Sequence, residues 1–216
     1  MSAQPVYIVI EGVIGVGKTT LARLLSREWG AATLLEVVEA NPFLSDFYAD
    51  RAKYAFQTET FFVLSRYKQQ HDEVPAHLAA GPLISDYHFA KNKLFAGQNL
   101  VGDERELFDT LFAALSRQIR VPDLVIYLQA ELETLLRRIA LRDRPFERNM
   151  ERAYLEGLSA AYDDFFRTYD EAPLLTIQTD ALDVVSDPAA LAHVSGLVRA
   201  RLAGYEQGRM LNGASH

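Results

Sequence analysis

Short apolar runs alternate along the chain with longer segments of helical periodicity. Five of these runs predict buried strands, because they are nearly continuous in apolar residues and too short for helices. They cover residues 6–10, 33–35, 83–85, 124–128 and 174–177. Runs of this kind suit a parallel sheet that is covered on both faces.

The intervening segments carry the 3.6-residue period of helices. Helices are predicted at residues 19–28, 42–70 (as two helices), 104–120, 131–142, 152–169 and 188–202. Strands that alternate with helices predict an α/β fold with a five-stranded, doubly wound parallel sheet. Because no Gly/Ser/Pro-rich linker or repeat divides the chain, we expect a single domain over residues 1–203 and a disordered tail over residues 204–216.

Composition narrows the classes of function. The chain has 216 residues, no cysteine and a formal net charge of −7. These features exclude disulfides and thiolate metal sites, and an acidic chain is a poor ligand for nucleic acid. The N-terminus has no pattern of a signal peptide, and the apolar run at 6–10 is too short to span a bilayer. We therefore expect a cytoplasmic protein without a membrane or nucleic-acid partner.

The segment that follows the first predicted strand matches a phosphate-binding motif. Residues 12–19, Gly-Val-Ile-Gly-Val-Gly-Lys-Thr, fit G-x-x-x-x-G-K-[ST] without deviation. Glycines allow backbone N–H groups to approach phosphate oxygens, Lys18 neutralises charge, and Thr19 offers a hydroxyl to Mg²⁺. ATP and Mg²⁺ are the predicted cofactors. The residues expected to hold them are Gly12, Gly15, Val16, Gly17, Lys18, Thr19 and Thr20.

Polar residues follow the ends of the first three predicted strands. Gly12, Glu36 and Asp86 each stand just past an apolar run. In open parallel sheets the carboxyl ends of the strands form the ligand crevice, so these residues are expected to share one cleft.

Two other classes of P-loop protein are not supported. A GTPase switch would carry D-x-x-G and N-K-x-D, but no glycine here has an aspartate three residues earlier, and Asn92-Lys93 is followed by Leu94-Phe95. No L-S-G-G-Q run suggests a transport ATPase. The small size of the chain favours a metabolite kinase.

Several motifs occur together in a characteristic order. After the P-loop come EVVEANPFL at 36–44, PDLVIYLQA at 122–130 and RIALRDRPFE at 138–147. With these motifs, residues from about 7 to about 177 resemble the deoxynucleoside kinase family, particularly its bacterial deoxyadenosine/deoxyguanosine kinase branch. The resemblance implies a P-loop kinase fold with an arginine-bearing lid. It also implies transfer of the γ-phosphate of ATP to the 5′-hydroxyl of a purine deoxynucleoside.

The resemblance assigns roles to the acceptor side. Glu36 matches the carboxylate that accepts the proton of the 5′-hydroxyl, although an acid at a helix entry is the competing interpretation. Tyr48 and Glu147 match the pair that binds the sugar 3′-hydroxyl. Tyr48 also lies in an apolar stripe with Phe43, Leu44 and Phe47, so a role in the core is open as well.

The resemblance also assigns three arginines. Arg142 and Arg144 with the downstream Glu147 fit the R-x-R-x-x-E lid, whose arginines close over the phosphates. Arg138 matches the arginine of the lid helix that lies against the ATP adenine. Solvated surface charge is the alternative for Arg142 and Arg144.

The chain departs from the family pattern after the third strand. Many members carry Glu-Arg-Ser or Asp-Arg-Ser, whereas this chain has Ser85-Asp86-Tyr87. Asp86 is expected to keep the metal role, together with Thr19. The role of the arginine beside the 5′-hydroxyl is then vacant or taken by Lys91, Lys93 or Arg66. For Tyr87 and Phe89, core packing is the favoured interpretation.

A second departure concerns the base. Glu59 aligns with a glutamine that often reads the base in the family. An ionised glutamate only accepts hydrogen bonds, and guanine presents two adjacent donors on its pairing edge, so the residue favours deoxyguanosine over deoxyadenosine. A solvated helix residue is the alternative interpretation of Glu59.

The leading hypothesis is therefore an ATP-dependent purine deoxynucleoside kinase, with Arg66 and Asp86 counted on the acceptor side. The alternatives are a nucleoside monophosphate kinase such as a thymidylate kinase and, more remotely, a nucleotide-binding protein without transfer activity. The resemblance also implies a homodimer formed through helices, with which the apolar helix at 107–115 is compatible.

Overall fold

Five parallel strands form the centre of the protein. The fold is taken from a computed structural model that describes residues 5–148 and 150–213, with side chains up to residue 205. The strands are β1 (Tyr7–Glu11), β2 (Ala32–Leu34), β3 (Leu83–Ser85), β4 (Leu124–Gln129) and β5 (Leu174–Gln178). Their order in the sheet is β2-β3-β1-β4-β5, and every neighbouring pair is parallel.

Eight α-helices flank this sheet within the described residues. They are α1 (Lys18–Trp29), α2 (Leu44–Ala49), α3 (Arg51–Ala80), α4 (Lys91–Asn99), α5 (Gly102–Ser116), α6 (Leu132–Arg142), α7 (Arg152–Arg167) and α8 (Pro188–Gly213). Short 3₁₀ turns occur at Val38–Ala40 and Pro145–Glu147. The predicted α/β fold with a five-stranded parallel sheet is confirmed. None of the helices in this part of the chain combines the length and apolar character needed to cross a membrane.

The burial pattern explains why the central strands could be predicted. Every residue of β1 is buried, and β4 is buried except at its last position. A strand between two neighbours and two helical layers has no solvent face, so its sequence is continuously apolar. A second apolar cluster, which includes Phe47, Val63, Phe89 and Phe108, joins helices α2 to α5 beside the sheet.

Three helical segments differ from the predictions. Helix α4 was missed because its buried residues are Lys91, Asn92 and Ala96, two of them polar, which leaves no apolar period to detect. Helix α3 continues ten residues past the predicted end at Gln70, with Pro75 inside it.

Residues 204–213, predicted to be disordered, continue α8. The segment contains the helix formers Glu, Gln, Arg, Met and Leu, which outweigh its glycines. Residues 214–216 of the predicted tail lie outside the described residues. The domain boundary at residue 203 stays a prediction.

The turn between β1 and α1 depends on Gly12. Its φ is +151°, a region that L side chains rarely adopt, and a Cβ there would lie 2.4 Å from the carbonyl oxygen of Leu128 in β4. The absence of a side chain therefore allows the loop to cross directly over the end of β4.

Gly12→Ala is expected to lower the free energy of unfolding by at least ~2 kcal/mol, because it adds backbone strain and a clash with a backbone atom. Chemical denaturation measures the change. The control is Gly196→Ala inside α8, where a Cβ would meet open space. That variant should be neutral or more stable by up to ~1 kcal/mol. A Gly12→Ala protein as stable as the wild type would contradict the close approach to β4.

Candidate active site

The loop between β1 and α1 presents the backbone to an anion. Gly15 and Gly17 both have positive φ, which glycine adopts without steric cost, and α1 begins directly at Lys18. A loop of this kind at a helix N-terminus directs N–H groups and the positive end of the helix at the same point. The arrangement suits the phosphates of a nucleotide.

Lys18 folds back over this loop. Its Nζ donates to the carbonyl oxygens of Gly12, at 2.6 Å, and Val13, at 3.1 Å. Burial and, after it, the nearby ammonium group of Lys91 together lower the pKa of Lys18 to about 8. An anion placed at this loop would reverse both effects, because it would favour the charged ammonium group.

Thr19, in the first turn of α1, lies in direct contact with Asp86, which follows β3. Thr19 Oγ1 donates to Asp86 Oδ2 over 2.5 Å, and Asp86 Oδ1 accepts from the backbone N–H of Glu36 over 2.7 Å. Burial raises the pKa of Asp86 above its ordinary value. No group of three His, Cys, Asp or Glu residues suited to a metal ion occurs among the described residues. The pair nevertheless fits Mg²⁺, which takes few protein ligands, prefers oxygen, and completes its shell with phosphate oxygens and water.

Glu36 carries the strongest charge contacts of the site. Arg66 Nε donates to its Oε1 over 2.8 Å, a contact that Arg66 Nη2 doubles, and Lys91 Nζ donates to its Oε2 over 2.7 Å. The side chains are nearly enclosed, with 10% of Glu36 and 5% each of Arg66 and Lys91 exposed. Burial by itself would raise the pKa of Glu36, but the two cations outweigh it and hold that pKa far below its ordinary value.

The departure after β3 has a clear structural outcome. Tyr87 is completely buried and donates to Gln69 Oε1 over 2.8 Å, and Phe89 is buried in the helical cluster. Core packing is therefore confirmed for both. Of the three cations considered for the vacant role, Arg66 and Lys91 contact Glu36, whereas Lys93 is exposed.

A cavity of about 360 Å³ extends from Glu36 between α2, α3 and the turn at Pro145–Glu147. Tyr48 lines it and stacks on Phe146 with ring centroids 6.1 Å apart. Glu147 is buried close to Tyr48, whose pKa is raised above the ordinary value chiefly by burial and then by the neighbouring Tyr154 and Glu147. The two residues predicted to bind the sugar are thus brought together at one end of this cavity.

Glu59 occupies a buried position on the same cavity. Its Oε1 accepts from Asn99 Nδ2 over 2.7 Å, while its Oε2 has no partner in the described part of the chain. Burial raises the pKa of Glu59 to about 7, against the lowering effect of Asn99, Arg66 and Lys91. The solvated-helix interpretation of Glu59 is wrong. An unpartnered buried oxygen is costly unless a ligand completes it.

The two lid arginines are held by carboxylates. Arg142 Nη2 and Nε contact both oxygens of the buried Glu147, the shortest distance being 2.6 Å. Arg144 Nη2 lies 3.0 Å from Glu39 Oε1, and its Nη1 lies 3.8 Å from Glu147 Oε1. Both guanidinium groups remain partly exposed and line the cavity.

A second cavity, of about 750 Å³, lies on the other side of the P-loop. Thr20, Arg138 and the segment 179–185 are among its walls. Arg138 is fixed by hydrogen bonds to Val16 O at 3.1 Å and Thr179 Oγ1 at 2.9 Å. Its guanidinium plane is therefore clamped between the P-loop and the segment that follows β5, at the wall of the cavity.

The two cavities meet at a common boundary. Lys18 and Thr19 line both of them, and so do the lid residues Arg142 and Arg144. A group bound by its phosphates at the P-loop would thus reach the first cavity only at this boundary, where Glu36 stands opposite. The geometry suits the transfer of a charged group between two ligands.

Three residues of the site escaped the sequence analysis. Glu11, fully buried, accepts from the N–H groups of Gly12 and His88 and so ties the P-loop to the segment after β3. Asn92 contacts Arg66, and Asn99 holds Glu59. Glu11 stands directly before the motif, at the end of a strand, and that position was the signal available in the sequence.

Comparison with known proteins agrees with this geometry. A family model described as deoxynucleoside kinase matches residues 8–200. The deoxyguanosine kinase of Bacillus subtilis is 38% identical over 204 residues, which cover 92% of this chain and 98% of that protein. A deoxyadenosine kinase of Dictyostelium discoideum is 33% identical over 217 residues, covering 98% of this chain and 84% of that protein.

The fold is shared with a solved structure of deoxyadenosine kinase from M. mycoides with bound dATP. The TM-score is 0.77 at 22% identity, and the match covers 90% of this chain and 99% of that one. A family match over nearly the whole described chain, together with relatives above 30% identity, shows the family. The chain belongs to the deoxynucleoside kinase family.

Proposed function

We propose that the protein transfers the γ-phosphate of ATP to the 5′-hydroxyl of a purine deoxynucleoside. The observation that carries the proposal is the boundary shared by the two cavities, at Lys18, Thr19 and the lid arginines. Relatives named deoxyguanosine kinase and deoxyadenosine kinase support the purine deoxynucleoside as acceptor. The cavity at Glu36 is accordingly the acceptor cavity, and the one at Arg138 the donor cavity.

On the donor side the phosphates are bound by the loop and by Lys18. Backbone N–H groups of the loop from Gly12 to Thr19, with Thr20 behind them, face the anion, and Lys18 exchanges its two carbonyl partners for phosphate oxygens. Thr19 and Asp86 would hold Mg²⁺, which neutralises phosphate charge when bound. The clamped guanidinium of Arg138 offers a flat cationic surface to the adenine.

On the acceptor side Glu36 orients the 5′-hydroxyl and accepts its proton. Its depressed pKa keeps it ionised at every physiological pH, so it is always ready to accept a hydrogen bond. Tyr48 and Glu147 line the same cavity beside the lid arginines, where they bind the sugar 3′-hydroxyl. As the bond to the 5′-oxygen forms, Arg142 and Arg144 stabilise the charge on the transferring phosphoryl group.

The charges near Glu36 favour a hydroxyl acceptor over a monophosphate. The carboxylate of Glu36 is bonded to Arg66 and Lys91, and the two cations keep it ionised. A 5′-phosphate at that position would face a permanent negative charge, whereas a 5′-hydroxyl would donate a hydrogen bond to it.

The acceptor assignment predicts activity on deoxyguanosine and deoxyadenosine, with kcat/KM at least ~10-fold higher than on thymidine or on any deoxynucleoside monophosphate. Each acceptor is assayed with ATP and Mg²⁺ by product chromatography. Addition of EDTA should abolish the activity of the enzyme, and excess Mg²⁺ should restore it.

Two results would contradict this proposal. Preferred phosphorylation of thymidylate would favour the monophosphate kinase, and ATP binding without transfer to any acceptor would favour a nucleotide-binding protein. Full activity in EDTA would exclude the metal role of Thr19 and Asp86.

Glu59 is proposed to read the base. Its ionised form accepts hydrogen bonds from the adjacent donors of guanine through the unpartnered Oε2, whereas its protonated form can also donate to an acceptor such as a ring nitrogen of adenine. Because burial places the pKa of Glu59 at about 7, both forms exist near neutral pH in the free protein. Selectivity should therefore depend on pH.

The ratio of kcat/KM for deoxyguanosine to that for deoxyadenosine is expected to rise several-fold between pH 6 and pH 8.5. Below the pKa of Glu59 the carboxyl is neutral, and above it the carboxylate only accepts, which favours guanine. In Glu59→Gln the ratio should be lower at pH 8.5 and flat across the range. Gln57→Glu, two residues away on the exposed side of α3, is the control and should behave as wild type. A ratio that is constant with pH in the wild type would exclude Glu59 as the residue that reads the base.

We further propose a homodimer formed through α5. Phe108 is the one buried side chain of this 15-residue helix, and Leu107 is 59% exposed. The adjacent α3 exposes 47% of Leu64. A helix that leaves most of its apolar side chains only partly covered is a candidate for an interface.

Light scattering after gel filtration should give twice the mass of one chain, and Leu107→Lys should shift the protein to monomer by placing a charge in the interface. The control is Leu197→Lys on α8, where the leucine is 38% exposed. A wild-type protein that is monomeric at micromolar concentration would contradict the interface.

The remaining proposals concern the location of the protein in the cell and its partners. We place the enzyme in the cytoplasm, which supplies ATP and Mg²⁺ together, and cell fractionation would check this. The net charge of −7 supports the absence of a nucleic-acid partner.

A further inference from the structure

Lys91 stands where the two substrates would meet. It is the first residue of α4, and its side chain lines the acceptor cavity together with Lys18, Thr19 and Asp86. Its Nζ lies 2.7 Å from Glu36 Oε2 and 5.4 Å from the centroid of the Phe95 ring. A lysine head group is therefore held within the site, although lysine usually extends its charge into water.

The ammonium group has capacity beyond its contact with Glu36. A lysine carries three donor hydrogens, and within the described chain Glu36 is the one hydrogen-bond partner of Nζ. Arg66 already holds Glu36 through two of its nitrogens and is itself fixed by Asn92. Both of these Arg66 nitrogens bond Glu36 Oε1, so Glu36 keeps a fixed cation when Lys91, the partner of Oε2, is replaced. Two hydrogens of Lys91 remain for another acceptor.

The walls of the acceptor cavity carry a small excess of positive charge. The acceptor cavity is lined by six basic and five acidic side chains, although the whole chain has a net charge of −7. The basic ones are Lys18, Arg23, Arg66, Lys91, Arg142 and Arg144, and the acidic ones are Glu36, Glu39, Glu59, Asp86 and Glu147. Lys18 and Lys91 both line this cavity. With one more cation than anions along its walls, the cavity can accept an anion without an excess of negative charge.

We propose that Lys91 is a catalytic residue whose ammonium group bridges Glu36 and the transferring phosphoryl group. The inference rests on the proposed kinase function and adds to it a residue that the motifs of the chain do not mark. Tyr87, which stands where many family members have an arginine, is buried in the core and supplies no cation. Lys91 supplies the cation from the next helix.

Lys91 forms and breaks no covalent bond during the transfer. The 5′-oxygen forms a bond to the γ-phosphorus, the bond from that phosphorus to the bridging oxygen breaks, and ADP leaves with the electron pair. The hydroxyl proton passes to Glu36. Lys91 keeps its proton throughout and donates hydrogen bonds to Glu36 and to a non-bridging oxygen of the γ-phosphate, whose charge is dispersed in the transition state.

Lys91→Met is expected to lower kcat for deoxyguanosine by roughly 10²–10³-fold, while the Kd for ATP and for deoxyguanosine changes less than ~5-fold. Lys91→Arg, which keeps the charge, should recover activity to within about 10-fold of wild type. The control is Lys93→Met, on the same helix but exposed and outside the cavity, which should retain wild-type kinetics. Should Lys91→Met not fold, Lys91→Gln carries the same expectation, because it removes the charge and keeps a donor for Glu36.

A double-mutant cycle with Glu36→Gln separates direct contact from positioning. Glu36→Gln alone should lower kcat by roughly 10²-fold or more with little change in ATP binding. If Lys91 contacts the phosphoryl group, Lys91→Met should lower kcat at least ~10-fold further in the Glu36→Gln background. A complex of ADP, aluminium fluoride and deoxyguanosine, which mimics the transferring group, should form with wild type and not with Lys91→Met.

Two results would overturn the assignment. One is a kcat for Lys91→Met within about 5-fold of wild type. The other is the absence of any further loss in the Glu36→Gln background, which would leave Lys91 as a positioning residue for Glu36. Failure of the proposed function is a different observation, since the wild-type protein itself would then phosphorylate no deoxynucleoside.

Discussion

The buried carboxylate of Glu36 is the constraint on which the site depends. The segment after β2 contributes the carboxylate, α3 contributes Arg66, α4 contributes Lys91, and Asp86 at the end of β3 holds the backbone N–H of Glu36. Three stretches of the chain that are distant in sequence, around Glu36, around Arg66 and at residues 86–91, thus converge on one residue. Removing one partner of such a cluster leaves an uncompensated buried charge, which is far less favourable than losing an exposed ion pair.

The same cluster sets the kind of proton acceptor that Glu36 can be. A carboxylate with a strongly depressed pKa is a weak base, and it removes the proton of a hydroxyl only when the oxygen is already bonding to phosphorus. A loose phosphoryl-transfer transition state places little demand on early deprotonation. In the proposed reaction, Glu36 would therefore contribute more through orientation and through an unchanging negative charge than through basicity.

Features that depend on neighbouring residues or on the order of the strands could be predicted from the sequence, whereas contacts between distant residues could not. The P-loop is a local motif, and the gathering of Gly12, Glu36 and Asp86 follows from the shared edge of a parallel sheet. The burial of Glu59 and its hydrogen bond to Asn99, 40 residues away, could not be foreseen, because they depend on contacts between distant residues.

Helix α4 could not be recognised in the sequence. Its inward face is polar because it lines the site, so the apolar period that marks other helices is missing. Lys91 was one of three candidates, and the structure alone distinguishes it from the exposed Lys93 on the same helix.

The pairing of Arg142 with Glu147 has a consequence for a kinase that binds ATP before its acceptor. A guanidinium group that is bonded to a carboxylate through two nitrogens attracts phosphate only weakly, since the pair is nearly neutral at a distance. In the proposed reaction, a sugar hydroxyl that donates to Glu147 would compete for the same oxygens and loosen that hold. Arg142 would then become free to contact phosphate once an acceptor is bound, and ATP bound without an acceptor would be hydrolysed more slowly.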